Sequence, residues 1–149
     1  MIDIKVTYTK KTFKSGRELF IYKDIVVKGH SSDGTLNSIK CCASVTAVTC
    51  GLLNLLEGEK RFCSVEVNKG YFHYQMGCDY NVEINYAVNA MIYQLDFIEM
   101  SYPKFFNVQY IEEKKNATNW TNKMGILTSP QNKNYQRVIQ NNTLCGWLR

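Results

Sequence analysis

His30 and Cys42 are the residues whose types and spacing could do chemistry. They stand twelve positions apart in a chain that has only two histidines. A thiolate attacks carbonyl carbon, and an imidazole near neutrality can take the thiol proton and later return one to a leaving amine. His30 follows Gly29 at the end of the β-rich run Ile25-Val26-Val27. Cys42 opens Cys42-Ala43-Ser44-Val45-Thr46-Ala47-Val48, which reads as the start of a buried helix. Unpaired N–H groups and the positive end of the dipole at a helix start favour thiolate and can hold an oxyanion. The same residue types also fit a small buried hydrophobe at Cys42 and an exposed loop histidine at His30, and spacing alone leaves both open.

The residues between them read as loop, from Gly29 to Ser38. Gly29 and Gly34 permit backbone angles that other residues avoid. Ser38 is expected to cap the following helix. Asp33 and Ser38 could orient His30 or cap the helix, while ordinary loop polarity also accounts for Asp33. Helical neighbours point about 100° apart, so only one of Cys41 and Cys42 can face His30. His73, inside Tyr71-Phe72-His73-Tyr74, reads as a half-buried strand residue.

Positioning these groups requires regular elements on either side. Ile2, Ile4, Val6 and Tyr8 alternate as a strand, and Glu18 to Lys28 reads as a second strand that pairs with it. Ile39 to Leu56 has helical spacing and stops near Gly58. Phe62 to Val67 and Tyr71 to Met76 flank Asn68-Lys69-Gly70, a hairpin signature. Val82 to Met100 is a second helix ended near Pro103, and Phe105 to Ile111 a last strand. The order ββαββαβ predicts an α+β fold with two helices packed on one face of a mostly antiparallel sheet.

Composition sets the boundaries. The chain has 149 residues, 45% of them apolar, enough for one core. We expect one domain over 1–111 and a basic, Asn-rich extension over 112–149, solvated and partly disordered or aiding association with RNA-rich particles. That extension holds six Lys/Arg against two Asp/Glu and carries most of the net charge of +5. No run reaches the ~18–20 uninterrupted apolar residues of a membrane span. The N-terminus lacks a signal-peptide core, so a cytoplasmic protein without membrane association is expected. The six cysteines then read as free thiols. No Cys-x-x-Cys pair offers a zinc site, and no cofactor is expected. Sequons at Asn116, Asn119 and Asn141 read as chance matches.

Gly29-His30, eleven intervening residues and then Cys42-Ala43-Ser44-Val45-Thr46-Ala47-Val48 resembles the ribosomal-processing cysteine proteases, the Prp or YsxB-like family. The element order over 1–111 and the hairpin Asn68 to Tyr74 match as well. The resemblance implies that His30 and Cys42 are a catalytic dyad. It implies a substrate that is the precursor of a large-subunit ribosomal protein, the twenty-seventh in the usual series, whose N-terminal extension is removed. It also implies a homodimer, an apolar groove for an aromatic pair before the cut, and a mobile loop that orders on substrate. Gly29, Ser31, Asp33, Gly34 and Ser38 would belong to that loop. The rival reading is a non-catalytic ribosome-associated binding module that works through the basic tail. A redox sensor using Cys41 and Cys42 is disfavoured because adjacent cysteines seldom form an unstrained disulfide.

Overall fold

The computed structural model describes residues 1–114 and 125–127. Alternating apolar residues pair β1 (Ile2–Thr12) with β2 (Glu18–Gly29) as an antiparallel hairpin. One face of β1, Ile2, Ile4, Val6 and Tyr8, is buried, as a half-covered strand requires. α1 (Leu36–Leu56) follows, then β3 (Cys63–Asn68) and β4 (Tyr71–Met76). Gly70, at φ 66°, makes the tight turn between those two strands. α2 (Val82–Ser101) and a 3-10 turn at Pro103–Phe105 lead into β5 (Phe106–Glu112). The sheet runs β3-β4-β2-β1-β5-β6, and only β1 with β5 is parallel. The expected α+β fold, two helices on one face of a mostly antiparallel sheet, is what forms.

β6 (Gly125–Leu127) was not foreseen; it extends the sheet antiparallel to β5, from within the basic extension. The remainder of that extension, 115–124 and 128–149, lies outside the described residues.

The start of α1 differs from expectation. The helix begins at Leu36, with Thr35 rather than Ser38 as its N-cap. Thr35 is extended, and its side chain accepts from the Ser38 N–H at 3.2 Å. Asp33 secures this cap by accepting from both the Thr35 N–H and its hydroxyl. Ser38 therefore lies inside the first turn, and Cys42 sits in the second turn rather than at the opening.

Along α1 the buried positions are Ser38, Cys41, Val45, Thr49, Leu52 and Leu56, a stripe at helical spacing. By length and composition alone α1 is long and apolar enough to cross a membrane. Its buried stripe instead joins the same core as the sheet and α2, the arrangement of a core helix.

Two polar side chains of α2 do structural work inside that core. Asn85 accepts from the Tyr22 N–H and donates to the Phe20 carbonyl, 3.2 and 2.9 Å away. It takes the place of a strand partner, because β4 pairs with β2 only from Asp24 to Lys28. Asp96 accepts from the Tyr110 hydroxyl at 2.5 Å, tying α2 to β5.

Candidate active site

Three pieces of chain converge on one cleft of about 340 Å³: the open end of the β1–β2 hairpin, where Ile2 pairs with Gly29, one face of α1, and the β3–β4 hairpin. His30 and Cys42 both line it. Its walls are mainly apolar, including Ile2, Val27, Val45, Val67 and Phe72, and Lys69 is the charged residue on them.

β2 delivers His30. The strand ends at Gly29, whose N–H donates to the Gly70 carbonyl at 2.9 Å. Gly29 has φ 100°, and a Cβ there would run into the Met1 carbonyl. The Met1 amine in turn donates to the His30 carbonyl at 2.5 Å. The imidazole itself lies on Gly70, where a Cβ would collide with its Nε2, Cε1 and Cδ2 atoms. The hairpin turn is therefore the seat of the histidine, a role that its reading as a turn did not reveal. Any side chain at position 70 fills the space the ring occupies, so the signal was present only as a glycine.

α1 delivers Cys42. The choice between the adjacent cysteines is settled by burial: Cys41 is 0% exposed and belongs to the core, whereas Cys42 is half-buried and faces the cleft. Burial pushes the Cys41 thiol up, away from reactive thiolate. The expected help for Cys42 from free helix-start amides is not what the structure provides. Those amides precede Cys42 by a turn, and the Ser38 and Ile39 N–H groups are already bonded to Thr35. The dipole effect fades within the first turn.

What touches the Cys42 sulfur is Ser31. Its Oγ lies 3.1 Å from Sγ, and its carbonyl 3.6 Å. Ser31 and Ser38 are locked reciprocally: Ser31 Oγ donates to the Ser38 carbonyl at 3.0 Å, and Ser38 Oγ donates to the Ser31 carbonyl at 2.6 Å. Both residues are buried, and together they clasp the loop after His30 to the first turn of α1. Among the described residues no hydrogen bond joins His30 to Cys42; they share the cleft without one.

The other loop candidates lie elsewhere. Asp33 does not orient His30. It holds Thr35 and pairs with Lys104 at 3.1 Å, and these bonds, the Thr35 hydroxyl foremost, lower its carboxyl to about 2. Gly34, at φ 75°, turns the chain into the Thr35 cap and faces open space. His73 is the half-buried strand residue expected, bonded to Asp24 at 2.8 Å. Among the described residues no group of His, Cys, Asp or Glu is arranged to hold a metal ion.

No family model matches the chain, and no curated protein does. Solved structures do. The fold is that of the essential ribosomal processing protease Prp from S. aureus, whose structure with a covalently linked product peptide superposes with a TM-score of 0.57 at 23% identity. The match covers 74% of this chain and 99% of that one. The complex of the same protease with a substrate peptide matches equally well, at 22% identity. SMU.848 from Streptococcus mutans matches with a TM-score of 0.57 at 17% identity, over 76% of this chain and 96% of its own. The likeness to Prp read from the sequence thus holds for the fold.

Proposed function

We propose that this chain is a cysteine endopeptidase that trims the precursor of a ribosomal protein in the cytoplasm. The observation that carries the reading is the cleft that His30 and Cys42 share, with the imidazole seated on Gly70. The fold match adds support, since Prp holds substrate and product peptides, the product covalently.

In this reading His30 takes the Cys42 proton and the thiolate attacks the scissile carbonyl carbon. Protonated His30 gives that proton to the leaving amine as the C–N bond breaks, leaving a thioester on Cys42. His30 then deprotonates a water that hydrolyses the thioester, and the proton returns to sulfur. The apolar walls of the cleft suit apolar side chains beside the cut. The reading includes a homodimer, which light scattering of the full chain tests.

The deciding experiment incubates the full chain with a peptide spanning the junction between extension and mature protein in a ribosomal-protein precursor. Cleavage by the wild type, lost with Cys42→Ala and with His30→Ala, is expected. Cys41→Ala should still cleave, because its sulfur is in the core rather than the cleft. Peptide binding without cleavage by the wild type would replace the protease with a binding module.

A further inference from the structure

The Ser31 hydroxyl has one proton and three polar neighbours: the Ser38 carbonyl at 3.0 Å, the Cys42 sulfur at 3.1 Å and Ser38 Oγ at 3.4 Å. The Ser38 carbonyl can only accept, so the hydroxyl donates there while the thiol keeps its own proton. With the proton directed at that carbonyl, Oγ turns a lone pair toward Cys42 and the thiol donates across the 3.1 Å contact, where either atom is able to be the donor. When sulfur loses its proton this contact no longer has a hydrogen in it. The remedy is a rotation of the Ser31 hydroxyl from the Ser38 carbonyl to the sulfur. That carbonyl is not stranded, because in a regular helix it still accepts from the Cys42 N–H. The reciprocal bond from Ser38 Oγ to the Ser31 carbonyl is untouched by the rotation and keeps the loop in place.

We propose that Ser31 is a positioning residue for the Cys42 sulfur, accepting from the thiol at rest and donating to the thiolate once His30 has taken the proton. The inference rests on the reading of His30 and Cys42 as base and nucleophile. No proton is created or lost in it: sulfur gives its proton to the imidazole, and the serine hydroxyl keeps its own while changing acceptor. A hydrogen bond to an ionised sulfur is stronger than one from a neutral thiol, so the exchange favours thiolate. The clasp has a second effect. Ser31 follows His30 directly and holds the sulfur four residues beyond Ser38, so the base and the nucleophile are tied through one buried serine pair.

The test is the rate at which iodoacetamide alkylates Cys42 as a function of pH, read site by site by mass spectrometry in the full chain. Cys50, which lines the same cleft, serves as the internal reference. In Ser31→Ala the midpoint for Cys42 should rise by about one pH unit, with Cys50 unmoved. Ser31→Thr, which keeps the hydroxyl, should restore the wild-type midpoint. The alanine variant retains the Ser31 carbonyl and so the bond from Ser38, which keeps the loop tethered. A Cys42 profile in Ser31→Ala that superposes on the wild type overturns the proposal. So does a shift shared equally by Cys50, or one that threonine fails to reverse. Failure of the protease reading looks different: the wild type cleaves no peptide, whatever the alkylation profile shows.

Discussion

A glycine at position 70 is required twice over, once by its backbone and once by the ring above it. Its φ of 66° is costly for other residues, and a Cβ would occupy the place of the His30 imidazole. Gly70→Ala should therefore displace the His30 ring while leaving the Cys42 thiol in position. On the proposed protease function, peptide cleavage should fall by about 10²-fold, the penalty of a misplacement near 1 Å. Alkylation of Cys42 at alkaline pH should be unchanged, and comparing the two rates checks this. The candidate pair was legible in the sequence because the chain has only two histidines, and one of them ends a strand twelve residues before a cysteine of the next helix. The side chains that support them were not. Ser31 and Ser38 are ordinary loop residues until the chain brings them to within 3 Å of each other's carbonyls.

Among the elements, α1 and its cap carry the loop geometry. Thr35→Ala removes the side chain that caps the helix and should cost about 1 kcal/mol in a denaturant melt. The effect should appear also as a looser loop between His30 and Cys42, since Asp33 is anchored on the same threonine. Asn85→Ala leaves the Tyr22 N–H and the Phe20 carbonyl without their α2 partner and should cost about 1–3 kcal/mol by the same measurement. Element types and order followed from hydrophobic periodicity: strands at period two, helices at period 3.6, and turns at glycine. The helix start was missed by three residues. Serine and threonine both cap well, and the choice fell to Thr35 because Asp33 locks it in the extended conformation. Cys42 accordingly lies a turn deeper in the helix, beyond the amides expected to hold an oxyanion.

For the whole molecule, two carboxyls pull stability in opposite directions with pH. Asp33 is held down to about 2 from 3.8 by its Thr35 and Lys104 bonds. Its contribution is present above 3.8 and is lost as pH falls toward about 2. Glu99 is raised above 4.5 by burial, and its Oε2 has no hydrogen-bond partner. Its ionisation therefore costs stability as pH rises through and beyond 4.5. Glu99→Gln should melt at a higher temperature than wild type at pH 7, with the gain shrinking below about pH 4.5. Asp33→Asn should show the reverse at neutral pH. Thermal melts across pH read both. The central position of β1 has a consequence for the order of assembly. Its first residue, Ile2, lines the cleft and pairs in parallel with Phe106, more than a hundred residues later. Closing that loop is slow compared with the local β1–β2 and β3–β4 hairpins. During synthesis, then, the histidine and its glycine seat are made well before the strand that secures the cleft floor on its far side. Cys42 is made early, but the β1 edge of its cleft waits for β5 to emerge before it gains its second strand partner.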